Sequence, residues 1–334
     1  MRKGGEWLLA ETIEAARRGK VVKKQSFDKI IIDTTVMEKA VAHPTDSRLL
    51  ERGRQHLVKL AATLGIRLRQ NYNREALRLA IRVGRYAHAR QFRRMRATLK
   101  SLRTLVGRVW RDIDRKLERN DAATAARAET ILARVKRLLA QQPKDQNKLY
   151  SLHAPEVECI SKGKARQPYE FGVKVTVATT HREGLVVGMR SMPGNPYDGH
   201  TLPEALEQVG ILTDHAPKAV FVDKGYRGVD VASVTIWRSG QQRGVTSAIK
   251  QAIRRRSAIE PAIGHMKNDG CLRRNWLKGS LGDALHAVLC GAWHNLRMIL
   301  RALRLFCACL LVGLRANDAR GGIQNAESLP LLAA

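Results

Sequence analysis

Lys29-Ile-Ile-Ile-Asp33-Thr-Thr-Val36 is the stretch of sequence that decides the fold of this chain. Its β-branched residues favour a buried strand. An acidic residue that ends such a strand can project from the edge of the sheet into a functional site. The alternative is that Asp33 caps the turn after the strand through its side chain, and this stretch alone does not decide between the two.

A second buried strand ends in the same way. Lys218-Ala-Val-Phe-Val-Asp223 is apolar up to its final aspartate and is followed by Lys224-Gly-Tyr226. Further strands are predicted over Tyr169–Ala178 and Leu185–Arg190, which form a hairpin, and over Val234–Trp237. The chain therefore places a carboxylate at the end of each of two separate predicted strands.

A third carboxylate lies in a predicted helix close to the C-terminal part of the chain. In Arg254-Arg-Arg-Ser-Ala-Ile-Glu-Pro-Ala-Ile-Gly-His-Met-Lys267, the residues Arg256, Glu260 and Lys267 stand at i, i+4 and i+11. On an α-helix, with about 100° per residue, they point within roughly 40° of one another. Such mixed charges are also typical of a solvated helical face, so the stripe gains meaning only together with the two strand-end aspartates.

The segment between the first strand and the later ones has a different composition. Residues 45–146 are rich in helix formers, and no proline interrupts them before Pro143. Their apolar residues recur at alternating steps of three and four, which is a heptad seam. The seam consists of Phe92, Met95, Leu99, Leu102, Val106, Val109 and Ile113. If it is continuous from 74 to 119, this helix is about 70 Å long, and Leu57–Leu68 and Ala122–Leu139 are its predicted antiparallel neighbours.

The net charge is the strongest global signal. The chain has 60 Lys and Arg against 30 Asp and Glu, so its formal net charge is +30. This imbalance favours a polyanionic partner, nucleic acid before an anionic membrane surface. Residues 48–119 contain 21 basic and 5 acidic residues, fewer acids than a merely solvated helical face carries. We therefore predict a surface that contacts the DNA phosphate backbone. Its predicted contact residues are Arg78, Arg82, Arg85, Arg93 and Arg96.

The composition excludes several other classes of protein. A hydrophobic content of 44% is that of a globular chain, and Leu8–Leu9 is too short for the apolar part of a signal peptide. The longest apolar run, Leu305–Leu314, is too short to span a bilayer. Five scattered cysteines without zinc spacing are interpreted as reduced core residues of a cytoplasmic protein.

Asp33, Asp223 and Glu260 are the predicted catalytic and metal-binding residues. Two strand-end aspartates and one helical glutamate can converge above one edge of a sheet. Mg²⁺ or Mn²⁺ is bound by a few carboxylates and keeps open positions for phosphate oxygens. Two such ions about 4 Å apart activate the attacking oxygen and stabilise the leaving oxygen of an in-line displacement.

Three sequence blocks, taken together, resemble a DDE transposase of bacterial insertion sequences. They are Ile32-Asp33-Thr-Thr, Val222-Asp223-Lys-Gly-Tyr226, and Arg256-x3-Glu260-x6-Lys267. The resemblance is to the group named for insertion sequence five, within the superfamily named for insertion sequence four. In that family a tyrosine stands three residues before the arginine, and Ile253 takes its place here. Gly194-Asn-Pro-Tyr-Asp-Gly-His200 is also similar to this group.

The resemblance implies an α/β, RNase H-like catalytic core of the retroviral-integrase type. Its mixed five-stranded sheet would be interrupted, after the first strand, by the long basic helical insertion. The resemblance implies that Arg256 and Lys267 contact the transposon end, with Lys224 and Tyr226 beside them. The implied reactions are hydrolysis at the element's ends and attack of the freed 3′-hydroxyl on target DNA. The implied partners are double-stranded DNA and a second copy of the chain, in a bacterial cytoplasm at the nucleoid.

The predicted organisation follows from these composition changes. Residues 1–27 are a basic lead-in, 28–44 contain the first catalytic strand, and 45–146 are the helical insertion. Residues 147–304 complete the catalytic core, and 305–334 are an apolar helix end and a loose tail. Related transposases carry a sizeable helical region before the first catalytic strand. Only 32 residues precede Asp33 here, which is expected of a truncated copy that retains the catalytic core.

Two other functions share part of this evidence. An RNase H-like nuclease without strand transfer uses the same metal ligands, and a non-catalytic DNA-binding protein shares the basic charge. Asp198 and His200 are further candidates for the site. Trp276 and Trp293 are predicted to pack in the core rather than to stack on bases.

Overall fold

The computed structural model describes residues 5–117, 122–146, 148–161, 163, 168–232 and 234–326. The α-helices of these residues are α1 Glu6–Arg18, α2 Asp46–Thr63, α3 Asn73–His88, α4 Phe92–Lys116, α5 Ala122–Ala140, α6 Leu202–Thr213, α7 Ser247–Arg255, α8 Ile259–Asn268 and α9 Gly279–Ala326. The strands are β1 Lys29–Glu38, β2 Glu158–Ser161, β3 Tyr169–Thr180, β4 Val186–Met192, β5 Ala219–Val222 and β6 Thr235–Arg238.

The strands form one mixed sheet in the order β2-β3-β1-β5-β6, and β4 also pairs with β3. β1 is antiparallel to β3 and parallel to β5, which is in turn parallel to β6. The predicted hairpin is confirmed as β3 and β4. The five predicted strands are all present, and the short β2 is an addition to them. This arrangement is compatible with the RNase H-like class expected from the sequence.

The prediction that Asp33 ends its strand is wrong. β1 continues to Glu38, since its second half stays paired with β3 up to the contact between Glu38 and Gly172. Its neighbour β5 is shorter: Ile31 lies opposite Phe221, and β5 ends at Val222. Continuing this parallel register by two residues brings Asp33 level with Asp223. The two aspartates therefore meet because one strand ends beside the middle of the other.

Helix α1 belongs to the core of the sheet. Leu9, Ala10, Ile13 and Ala16 recur on one face of α1 and are fully buried, as expected for an amphipathic helix. α1 packs against α6, α9 and β4. The predicted lead-in is therefore an integral part of the same hydrophobic core as β1 and β5.

Helices α2 to α5 form a second module with its own hydrophobic cluster. The predicted packing of α4 against α2 and α5 is confirmed, and the Trp110 indole N–H donates to the Leu132 carbonyl at 2.9 Å. The single long helix is wrong: α3 ends at His88, Arg90 adopts a left-handed conformation with φ of 54°, and α4 starts at Phe92. The chain turns back here, so α3 and α4 form a helical hairpin.

The heptad seam is buried only in its second half. Leu102, Val106, Val109 and Ile113 are within the cluster, whereas Phe92 is half exposed. The reason is that α2 and α5 pack on the C-terminal half of α4, while α3 accompanies its N-terminal half. The segment Asn73–Thr98 of this helical hairpin, here called the basic arm, is mostly exposed.

Helix α9 is longer than the predicted helix over Asp283–Leu303. It continues to Ala326, through the first part of the predicted loose tail, and 327–334 lie outside the described residues. Across the helices that the structure describes, none combines the length and the apolar character that a membrane crossing requires.

Candidate active site

Two of the three predicted carboxylates lie on neighbouring strands. Asp33 is in the middle of β1, and its Oδ1 accepts the backbone N–H of Thr34 at 2.8 Å. Asp223 follows β5 and starts a short 3-10 turn, where its Oδ1 accepts the N–H of Gly225 at 2.7 Å. Asp223 therefore also has the turn-capping role that was weighed as an alternative for strand-end aspartates.

A fourth carboxylate, Asp198, approaches the same place from the loop before α6. A Cβ added to Gly225 would lie 2.9 Å from Asp223 Oδ1 and 3.2 Å from Asp198 Oδ2. The two carboxylates thus approach Gly225 so closely that a residue with a Cβ does not fit there without a shift. Asp198 was only a secondary candidate from the sequence, and its one signal was the similarity of the loop 194–200 to the transposase group.

Asp198 is held by a largely buried lysine. Lys174 of β3 donates to Asp198 Oδ1 at 2.8 Å and to the Pro196 carbonyl at 2.6 Å. The Thr34 hydroxyl donates to the same Oδ1 at 3.0 Å. Lys174 therefore neutralises one carboxylate and fixes the loop that carries it next to β1. Strand pattern alone gave no signal for this lysine.

Tyr226 lies inside the protein, beneath the aspartates. Its side chain is fully buried. Burial first, and then the negative charges of Asp33, Asp198 and Asp223, raise the pKa of Tyr226 well above its ordinary value. Because the phenol stays protonated and does not reach the surface, the expected DNA contact of Tyr226 is wrong in this structure. The three aspartates lie close enough for their charges to act on the Tyr226 phenol.

Arg256 joins the helical carboxylate to the strand. α7 ends at Arg255, a single 3-10 turn covers Arg256–Ala258, and α8 begins at Ile259. Arg256 Nη1 lies 3.1 Å from Asp33 Oδ2, and its Nη2 lies 3.0 Å from Glu260 Oε1. Its side chain is 14% exposed, whereas that of Glu260 is 61% exposed. One guanidinium therefore stands between two of the predicted metal ligands.

The three residues of the predicted charged stripe, Arg256, Glu260 and Lys267, do not lie together in the structure. Lys267 is seven residues beyond Glu260, about 10 Å along α8. Its Nζ lies 3.7 Å from Glu170 Oε2 of β3, and both side chains are largely buried. Arg256 and Glu260 thus face the aspartates, while Lys267 faces the start of β3. Lys224 is exposed at the turn after β5.

The other predicted DNA contacts lie on the basic arm. Arg78, Arg82 and Arg85 of α3 and Arg93 and Arg96 of α4 are all exposed. Within the part of the chain that the structure describes, none of these five arginines is in a salt bridge. Their charge is therefore available to an anion in solution.

The donor chemistry of the site fits a hard divalent cation. Every candidate ligand offers carboxylate oxygens, which Mg²⁺ and Mn²⁺ prefer. In the conformation described, however, no three His, Cys, Asp or Glu residues among the described ones are close enough to hold an ion together. Arg256 accounts for this locally, because its guanidinium occupies the space between Asp33 and Glu260. Closing the metal site would require Arg256 to release at least one of these carboxylates.

Comparison with known proteins supports a transposase. Residues 138–290 match the family model of the transposase DDE domain. The match covers Asp223 and Glu260 and begins after Asp33.

A curated relative from Rhizobium meliloti is described as uncharacterized protein ORF8 in nfe locus. It is 51% identical to this chain over 89 residues, which are 27% of this chain and 43% of that protein. The chain thus matches less than half the length of this relative. No solved structure gives a significant match.

Proposed function

We propose that this chain is an insertion-sequence transposase of the group named for insertion sequence five. It cleaves DNA at the ends of its element and joins the freed 3′ ends to target DNA. One arrangement carries the proposal: Asp33 of β1 lies level with Asp223, which directly follows the parallel strand β5, and Arg256 ties Glu260 to Asp33. The family match, which includes Asp223 and Glu260, supports it independently.

Asp33, Asp223 and Glu260 are the residues proposed to hold two Mg²⁺ or Mn²⁺ ions. When bound, such ions activate the attacking oxygen and stabilise the leaving oxygen of the scissile phosphate. The chain's own residues orient these ligands. Lys174 fixes Asp198 beside β1. Arg256, once it releases a carboxylate, can donate to a phosphate oxygen in a bidentate geometry.

The basic arm is proposed to hold the DNA away from the site of chemistry. Five of its exposed arginines, Arg78, Arg82, Arg85, Arg93 and Arg96, would contact phosphates without reading sequence. Lys224, exposed at the turn beside Asp223, is proposed to contact a phosphate near the cleavage site. The proposal includes two copies of the chain, which act on the two ends of one element.

The test is a strand-transfer assay with a labelled duplex that ends in the element's terminal sequence, a target plasmid and Mg²⁺. Wild type should yield both nicked and joined products. Asp33→Asn, Asp223→Asn and Glu260→Gln should each lower cleavage by about a thousandfold, since ligands of catalytic metals contribute several kcal/mol to the transition state. DNA binding, measured by fluorescence anisotropy without metal, should stay within about twofold of wild type, because these carboxylates do not bind phosphate.

Near-normal cleavage by any of the three variants would show that the assigned triad is wrong. Cleavage without joined product would instead identify a nuclease with the same ligands. DNA binding without either product would identify the chain as a non-catalytic DNA-binding protein.

A further inference from the structure

The loop between α8 and α9 exposes a tryptophan among basic residues. We call the segment Cys271–Lys278 the tryptophan loop. Arg273, Arg274 and Lys278 are exposed on it, and Trp276 is 58% exposed. The Arg274 guanidinium lies 5.6 Å from the centre of the Trp276 ring, within the range of a cation–π contact. The prediction that Trp276 packs in the core is therefore wrong.

The backbone of this loop is fixed to the end of β1. Asn275 is fully buried between the exposed residues. Its N–H donates to the Glu38 carbonyl, and its own carbonyl accepts from the N–H of Ala40, both at 2.8 Å. Its side-chain amide donates to Asp283 Oδ1 at 2.6 Å. Asn275 thus continues the sheet beside β1 and sets the direction in which Trp276 projects.

A buried ionic cluster secures the same loop from beneath. Lys39 is paired with Asp283 and, at 2.9 Å, with Glu156. Glu156 also accepts the N–H of Gly279 at 2.8 Å, at the start of α9. Burial raises the pKa of Glu156, but the bonds from Lys39 and from backbone N–H groups outweigh it, so the pKa is lowered. Buried ion pairs fix the positions of groups more than they stabilise the fold. Here they fix the loop from which the Trp276 ring is exposed.

Trp7 provides a comparison within the same molecule. It is also 58% exposed, but it lies on α1, where its charged neighbours are Glu6, which precedes it, and Glu11 and Glu14, which follow it on the same face of the helix. Trp276 differs from Trp7 in its basic surroundings and in its fixed loop, not in exposure. This difference points to an anionic partner that also carries flat aromatic groups, on which Trp276 can stack.

We propose that the tryptophan loop is a DNA-contacting element, in which Trp276 stacks against a base extruded from the duplex while Arg273, Arg274 and Lys278 contact the neighbouring phosphates. Aromatic stacking tolerates any base, and basic residues around the ring hold the backbone. This inference rests on the proposed function for its partner, double-stranded DNA. It adds a contact that neither the metal site nor the basic arm supplies.

The position of the loop suits a duplex that also enters the active site. Lys39, which faces Asn275 in an isolated bridge, is six residues beyond Asp33, or about 20 Å along the strand. That distance corresponds to about six base pairs of duplex at 3.4 Å per step. Trp276 is therefore expected to contact DNA about one half-turn from the cleaved phosphate.

The experiment measures metal-free binding of a terminal duplex by fluorescence anisotropy over a series of salt concentrations. Trp276→Ala should weaken binding by about tenfold, since one stacked base contributes about 1–3 kcal/mol, without changing the salt slope. Trp276→Phe should recover most of the affinity. The Arg273→Gln, Arg274→Gln, Lys278→Gln triple variant should reduce the slope by about 2–3, because each lost phosphate contact removes about 0.9. Trp7→Ala is the matched control and should bind as wild type does.

A second readout locates the contact. 2-Aminopurine placed singly along the duplex should change its fluorescence about six base pairs from the cleavage site with wild type, and not with Trp276→Ala. Unchanged affinity and unchanged fluorescence with a folded Trp276→Ala protein would overturn the inference and leave the proposed function intact. If wild type itself bound no DNA, the proposed function would fail as well. A change in sedimentation rather than in DNA binding would assign the loop to contact with a second copy and would also overturn it.

Discussion

The sheet and the basic arm use cationic side chains in opposite ways. Lys39, Lys174 and Arg256, at the sheet, are largely buried, and each is paired with a carboxylate. The five named arginines of the basic arm are exposed and are in no salt bridge among the described residues. Buried pairs fix the positions of groups, whereas exposed cations attract a polyanion from a distance. Under the proposed function, the molecule would thus separate the placing of reactive groups from the holding of DNA.

Replacement of Arg256 should have the largest effect, because Arg256 is the cation paired with two of the proposed ligands. Arg256→Gln removes the bridge between Asp33 and Glu260, so we expect cleavage to fall by about a thousandfold, as when a preorganised charge is removed. Tb³⁺ luminescence without DNA should instead show tighter binding, by about tenfold, because a competing cation close to both carboxylates has been removed.

Arg255→Gln is the control for Arg256. Arg255 is the preceding residue, but its guanidinium donates to the backbone carbonyls of His181 and Arg182. It should leave Tb³⁺ binding unchanged. Equal Tb³⁺ affinities for Arg256→Gln and wild type would mean that Arg256 does not oppose metal binding.

Neutralising the basic arm should weaken DNA binding and leave the cleavage of bound DNA unchanged. With Arg78, Arg82, Arg85, Arg93 and Arg96 all changed to Gln, DNA affinity should fall by about a hundredfold at moderate salt. The slope of log K against log salt should flatten by up to about 4.5, from five phosphate contacts at about 0.9 each. The cleavage rate of DNA already bound at saturation should stay close to that of wild type.

Two exposed arginines of α9 provide the control for the arm. Arg301 and Arg304, changed to Gln, remove charge away from both regions and should alter the slope by less than one contact, about 0.9. An unchanged slope in the five-residue variant would assign the arm to a scaffold role.

The smallest expected effect is at Gly225. Gly225→Ala would place a methyl group 2.9 Å from Asp223 Oδ1 and 3.2 Å from Asp198 Oδ2. Both carboxylates would have to shift, so Tb³⁺ affinity should fall several-fold while DNA binding is unchanged. Gly264→Ala on α8 is the control, because its added Cβ meets no atom within 4 Å. Equal metal affinities for the two variants would show that the carboxylates do not close over Gly225 in solution.

Much of the fold was accessible from local patterns. β-Branched runs predicted β1 and β5, alternation predicted the β3–β4 hairpin, and the heptad seam predicted the partners of α4. The break between α3 and α4 was not accessible, because Arg90 is a residue that favours helices and only tertiary packing selects its left-handed conformation. The full length of β1 was missed for a similar reason, since its second half is a strand through pairing with β3.

The candidate site divides in the same way. Asp33, Asp223 and Glu260 were predicted from residue type and spacing, and they remain the proposed ligands. Lys174 and Asp198 come from a strand and a loop that are far from β1 in sequence, and nothing in their local pattern indicates that they meet. The burial of Tyr226 and the exposure of Trp276 likewise reversed what their side-chain types suggested.

By itself, the sequence determined where most of the strands and helices lie, which carboxylates are candidates for the site and that the chain is strongly basic. These properties depend on residue type, spacing and composition, which are local or additive. Only the tertiary structure decided which cations are paired and which are left to solvent. It brought Asp33 level with Asp223, placed Arg256 between Asp33 and Glu260, and fixed Trp276 at the surface. Burial and pairing depend on contacts between residues distant in the chain, and such contacts leave no period in the sequence.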